Sequence, residues 1–280
     1  MQTLTLYQNT NLEIIRADIV RGHIRHALFD FDGTLSLIRE GWQDVMIPMM
    51  VEILRATPRA ESETEIYAIV REYVTRLTGK QTIYQMIELA EQVKQRGGEP
   101  LEPLAYKRMY HDLLMTRIRH RIADLESGRV EPDQMLVPGS RAFLEALTQR
   151  GVLCYLASGT DEVFVKHEAA LLDVTKYFQG VYGALDDYKA FDKHMVIQRI
   201  MRENNLRGPE FVAFGDGYVE IEDTRRVGGI AVGVASNEAT RQGIDAWKRE
   251  RLIQAGADVI IPDFSQHEAL IEYLQIAEED

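Results

Sequence analysis

Two carboxylates two positions apart, Asp30 and Asp32, follow the apolar run Ala27-Leu28-Phe29 and precede Gly33-Thr34-Leu35. Gly33 lets the chain turn sharply, so both carboxylates can serve one site beyond a strand end. A carboxylate pair there can supply a nucleophile, an acid or base, or oxygen ligands for a hard cation. Further groups of this kind recur downstream. Leu156-Ala157-Ser158-Gly159-Thr160 ends an apolar run with a hydroxyl and unhindered amides, a suitable place for phosphate oxygens. Phe214-Gly215-Asp216-Gly217 ends another and places Glu220 one helical turn beyond Asp216; oxygen-only ligands of this type suit Mg²⁺. Lys193 opens an apolar helical pattern that continues through Met195, Val196, Ile197 and Ile200. Each group also has a plainer reading alone: an Asp-rich turn, a helix cap at Ser158 and Thr160, a solvated acidic loop, a surface lysine.

The elements that must position these groups alternate. Strands are expected at His26–Asp30, Val152–Ser158, Gly180–Gly183, Phe211–Gly215, Ile230–Val234 and Asp258–Ile261. Helices are expected at Ser140–Arg150, Asp161–Leu172, Lys193–Asn204, Val219–Val227, Ala239–Ala255 and Gln266–Ile276. The pattern predicts an α/β, Rossmann-like parallel sheet with helices on both faces, and its carboxyl edge is where ligands bind. From about Leu37 to Val137 strand signals give way to four helical patterns, Trp42–Ala56, Glu63–Leu77, Thr82–Arg96 and Leu104–Glu126, so an all-helical module is inserted after the first core strand. The expected division is a core of residues 1–35 and 139–280 and a helical module of 36–138. Residues Leu4–Val20 are expected to form a hairpin or edge strand.

Composition narrows the function class. The 280 residues carry 32 Lys plus Arg against 44 Asp plus Glu, a net charge of −12, which opposes electrostatic binding of nucleic acid. Apolar residues make up 45% and charged residues 27%, within the globular range, and no apolar run suffices to cross a bilayer. One cysteine, Cys154, makes no internal disulfide and reads as a small buried hydrophobe in a cytoplasmic protein. The Arg117–Arg121 stretch reads as a solvated helix face, Arg39 as a surface cation, and Trp42, Met46, Met49 and Met50 as packing within the helical module.

The joint order of these groups resembles the haloacid dehalogenase-like superfamily, with Asp30–Leu35, Ser158, Lys193 and Gly215-Asp216-Gly217 with Glu220 as its four motifs, and the insertion similar to its C1-type cap. The resemblance implies a phosphatase acting on a small phosphorylated metabolite through an aspartyl-phosphate, with a β-phosphoglucomutase-like phosphomutase as the nearest alternative and a non-catalytic binding protein as a more distant one. In that reading Asp30 is the nucleophile and Asp32 the acid and base. Mg²⁺ is held by Asp30, Asp216 and the backbone carbonyl of Asp32, with Glu220 directly or through water. Ser158, Gly159 and Lys193 bind phosphoryl oxygens, while Thr34 and the cap residue Lys80 lie on the substrate side. Glu220 stands where the family usually has Asp, and Lys189 competes with Lys193 for the lysine role.

Overall fold

The computed structural model describes residues 5–277. Strands β1 (Thr5–Leu6) and β2 (Glu13–Ile14) form the expected hairpin at the edge of the sheet; Leu4 lies outside the described residues. Strand β3 (His26–Phe29) follows, and then come α1 (Gln43–Arg55), α2 (Glu63–Leu77), α3 (Thr82–Gln95) and α4 (Pro103–Glu126), none of which contributes to the sheet. The alternation resumes with α5 (Ser140–Gln149), β4 (Leu153–Asp161), α6 (Glu162–Leu171), β5 (Phe178–Ala184), α7 (Lys193–Glu203), β6 (Phe211–Gly215), α8 (Tyr218–Arg226), β7 (Ile230–Val234), α9 (Ala246–Gln254), β8 (Val259–Ile261) and α10 (His267–Leu274). The strand order is β1-β2-β8-β7-β6-β3-β4-β5, parallel except for the β1–β2 and β2–β8 pairs.

Alternation along the central strands explains the layers. Ala27, Phe29 and Phe214 join the apolar cluster that includes Phe143 of α5, Val165 of α6 and Leu270 of α10. Leu28 and Ala213 join the cluster of Val196, Ile197 and Ile200 on α7, whereas Ala231 and Ile260 pack with Ile221 of α8 and Leu252 of α9. Helices therefore cover both faces. The rings of Phe29 and Phe214 stack at 4.7 Å, with Phe143 edge-on to Phe214 at 5.1 Å, directly behind the strand ends that matter below.

Register aligns those ends. Phe29 pairs with Leu156 on one side and Phe214 on the other, so the residues that follow each strand emerge at one edge beside the central strand. Two bounds depart most from their patterns: β4, expected to end at Ser158, runs on to Asp161, and the helix predicted to start at Ala239 starts at Ala246. The preceding segment is a loop in which Asn237 caps Thr240, Arg241 and Gly243 take positive φ, and Asp245 accepts from Lys248 N at 2.9 Å to start α9.

Candidate active site

Asp30 directly follows β3 and is buried. Its Oδ2 lies 2.7 Å from Lys193 Nζ, whose ammonium also donates to Glu220 Oε2 at 2.9 Å. Lys193 is in place because Asp192 caps α7, accepting from Met195 N at 2.6 Å, and so fixes where that helix begins. A lysine in a first helical turn opposes the helix dipole, and two carboxylates offset that cost. Lys189 is exposed and lies over the Tyr188 ring instead.

Asp30, Asp216 and Glu220 present carboxylate oxygens within 4.8 Å of one another. Gly33, at φ +76°, makes this possible: an ideal Cβ there would lie 2.3 Å from Asp216 Oδ2. Glu220 is wholly buried, with Oε2 on Lys193 and Oε1 accepting from Gly217 N at 2.8 Å. It therefore orients Lys193 as well as facing the cluster. Burial, with Glu220 and Asp216 alongside, pushes the Asp30 carboxyl well above the usual range against the pull of Lys193. Burial likewise raises Asp216. Burial works against the Lys193 ammonium, but Asp30 and Glu220 outweigh it, so its pKa lies above that of a free lysine.

Asp32 is two residues away and sits among different partners. Its Oδ2 accepts from Thr160 Oγ1 at 2.8 Å and from Ser158 Oγ at 3.2 Å, while Oδ1 has no hydrogen-bond partner. Ser158 is held in turn by Thr160 N at 3.0 Å. Arg39 approaches Asp32 Oδ1 at 3.8 Å and pairs in a fork with Glu168 Oε1 of α6, 2.6 Å from Nη2. Both partners of that fork are buried, so Arg39 is not the surface cation the sequence suggested.

The cavity over these groups encloses about 630 Å³, counting its open mouth, and Asp30, Asp32, Ser158, Gly159, Lys193 and Asp216 line it from the sheet edge. From the insertion come Trp42, Met46, Lys80 and Tyr110. Trp42 and Met46 thus form wall as well as packing, whereas Met49 and Met50 are buried within the insertion. Lys80 is exposed, has its ammonium 5.7 Å from the Tyr84 ring centroid, and also lines an adjoining cavity with Tyr84, His194 and Arg226. The Gly79-Lys80 turn seats against glycines: an ideal Cβ on Gly159 would lie 2.7 Å from Lys80 O, and one on Gly217 would lie 2.9 Å from Gly79 Cα. Thr34 is not brought to the cavity; it is fully buried, its hydroxyl without a partner. The expected solvated face is interrupted too, since Arg121 donates to the carbonyls of Ile38 and Glu40 and braces the link from β3 to α1.

Two site residues escaped the sequence reading. Lys248 of α9 lies 2.8 Å from Asp216 Oδ2 and 2.7 Å from Glu238 Oε1. The basic run around Lys248 resembles a solvated face, but its i,i+4 spacing to the buried Leu252 was an available signal. Glu238 follows the end of β7, on the same carboxyl edge, and in the sequence stands just before the helix expected from Ala239. Four carboxylates, Asp30, Asp216, Glu220 and Glu238, thus face two ammonium groups, Lys193 and Lys248. This oxygen-only, under-neutralised donor set fits a divalent cation.

The haloacid dehalogenase-like hydrolase family matches residues 24–228. No curated protein matches the chain by sequence. Among solved structures, a predicted phosphoglycolate phosphatase from Haemophilus somnus is 16% identical with a TM-score of 0.59, covering 89% of this chain and 98% of its own. β-Phosphoglucomutase from Clostridium difficile is 12% identical with a TM-score of 0.60, covering 90% and 97%. CbbY from Rhodobacter sphaeroides, solved with phosphate, is 17% identical with a TM-score of 0.54, covering 87% and 96%. These likenesses concern the fold, and the family match reaches through β3, the helical insertion and the ends of β4 and β6. The chain belongs to the haloacid dehalogenase-like hydrolases and is an enzyme of that class.

Proposed function

We propose that this chain is a Mg²⁺-dependent phosphatase that hydrolyses a small phosphorylated metabolite through an aspartyl-phosphate on Asp30. The observation that carries the reading is the division of labour between neighbouring carboxylates: Asp30 is gripped by Lys193 within a buried acidic cluster, whereas Asp32 is tethered by two hydroxyls with its other oxygen free of hydrogen bonds. Asp30 attacks phosphorus, and the bond to the leaving oxygen breaks as Asp32 gives that oxygen its proton. Asp32 then takes a proton from water, which attacks phosphorus and releases phosphate, restoring Asp30. Lys193 steadies the charge on the phosphoryl oxygens, and Ser158 and the Gly159 amide offer further donors. Asp30, Asp216 and the Asp32 carbonyl would hold the cation, with Glu220 alongside. When bound, the cation neutralises the crowded carboxylates and the charge on the transferring phosphoryl group.

In this reading residues 36–138 form a cap over a core of 1–35 and 139–280, and the cap's contribution to the cavity sets the size of the leaving group. Lys80, at the turn facing the site, offers a cation to an anionic substrate. Phosphorus NMR of a phosphorylated-metabolite panel with Mg²⁺ tests the proposal. Free phosphate from at least one member is expected. Production of an isomeric phosphate with a trace of bisphosphate would establish the phosphomutase alternative, and no turnover across the panel or on an aryl phosphate would overturn both.

A further inference from the structure

Lys248 is not among the motifs that carry the family resemblance, yet its ammonium is one of the most enclosed cations in the described structure. Three oxygens surround it: Asp216 Oδ2 at 2.8 Å, Glu238 Oε1 at 2.7 Å and Ser236 Oγ at 3.1 Å. An ammonium has three N–H donors, so its hydrogen-bonding capacity is filled. Ser236, in turn, donates its own proton to the carbonyl of Gly33. A single side chain of α9 thereby ties together the loop after β6, the loop after β7 and the turn that follows Asp30. The bare Cα of Gly33 is what admits Asp216 Oδ2 and Glu238 Oε1 beneath that turn, where an ideal Cβ would lie 2.3 and 2.9 Å from them.

We propose that Lys248 is a positioning residue for the cation site: it fixes the orientation of the Asp216 carboxylate and keeps Glu238 from displacing it. This rests on the reading of Asp30, Asp216 and Glu220 as the place of a divalent cation. Without the ammonium, the Glu238 and Asp216 carboxylates would face each other across a buried gap and repel, and Asp216 would turn from the cluster. Charge alone predicts the opposite outcome. A fixed positive group beside a cation site repels the cation, so a residue acting only through its charge would, when neutralised, leave binding tighter. The sign of the change therefore separates orientation from simple electrostatics.

The experiment is calorimetric titration of the full chain with Mn²⁺, comparing the wild-type protein with Lys248→Met and Lys248→Gln, alongside circular dichroism to confirm folding. The inference expects Lys248→Met to weaken Mn²⁺ binding by about tenfold or more. Lys248→Gln, which leaves a neutral donor near Asp216, should lose less affinity and decides the direction if the methionine variant does not fold. At saturating Mg²⁺ the kcat of a folded variant should recover to within a few-fold of wild type, whereas at limiting Mg²⁺ it should not. Unchanged or tighter binding in the folded neutral variants overturns the inference while leaving the proposed function intact. A wild-type protein that binds no Mn²⁺ overturns the cation reading and this inference with it.

Discussion

Asp30 and Asp32 share a chemical type and differ in surroundings, and the roles proposed for them follow from those surroundings. Asp30 is pressed between Lys193 and two other acids, with its pKa held high by burial, so in the proposed reading it would become a usable nucleophile once a cation joins the cluster. Asp32 has two hydroxyl donors on one oxygen and no hydrogen bond on the other, an arrangement suited to passing a proton. Asp30→Asn is nearly isosteric and keeps a hydrogen-bonding group against Lys193, so the fold should survive. Turnover should fall below about 1% of wild type, because an amide does not form the acyl phosphate. A variant that retains more than a few per cent, with circular dichroism unchanged, would show that Asp30 is not the nucleophile.

At the scale of elements, the insertion and the sheet meet through ion pairs and through bare backbone. The Arg39–Glu168 pair links the segment after β3 to α6 and is buried at both ends, with side-chain exposures of 8% and 2%. Removing one partner of such a pair leaves an uncompensated charge, so Glu168→Ala should lower stability by about 3–5 kcal/mol. The joint replacement Arg39→Met with Glu168→Leu should cost less than either single change, and urea unfolding midpoints compare them. Lys107 of α4 pairs with Asp161 at the end of β4, and Gln81 donates to the carbonyls of Tyr188 and Phe191. The close approach at Gly159 makes a different prediction. Gly159→Ala places a methyl against Lys80 O and should unseat the turn, raising KM for a small metabolite by about tenfold or more. A generic aryl phosphate, which needs less of the cap, should be affected less. Equal effects on both substrates in steady-state assays would show that the Lys80 turn takes no part in discrimination.

For the whole molecule, the net charge of −12 coexists with a site that, in the proposed reading, would receive an anion, and Lys193, Lys80 and a bound cation would reconcile the two locally. Among the described residues, no helix is long and apolar enough to cross a membrane. The core also sets a pH limit. Burial pushes the Cys154 thiol up to about 12, and burial raises the Tyr73 and Tyr110 phenols above their usual value of 10.0. These acids stay protonated in the folded chain while the unfolded chain ionises them, so their contribution is fully present below the unfolded pKa values and is lost as pH rises. Cys154 alone should cost about 1.4 kcal/mol per pH unit above about 9, with the tyrosines adding above 10. Urea midpoints from pH 7 to 11 would show the decline, and iodoacetamide at pH 8 should label Cys154 only as the chain unfolds. Rapid labelling of the native protein would contradict this burial.

Much of this arrangement is legible in the amino-acid order because its signals are local. Apolar runs ending at Asp30 and Asp216 mark strand ends, the apolar pattern of Met195, Val196, Ile197 and Ile200 singles out Lys193 at the start of α7, and four helical patterns mark the insertion. Contacts between segments remote in sequence are not legible in that way. Arg39 is separated from Glu168 by 129 positions, and Gly33 from Ser236 by 203, and no local pattern tells a buried partner from a solvated one. Lys248 looks like one charge in a basic run until α9 is laid beside β7. The chain by itself marked Asp30, Ser158 and Asp216 for the carboxyl edge of the sheet, because the ends of apolar runs are written in local hydropathy and turn chemistry. Tertiary structure alone decided which of them meet, since burial, the fit of a glycine under a carboxylate and the pairing of distant charges exist only once the layers have packed.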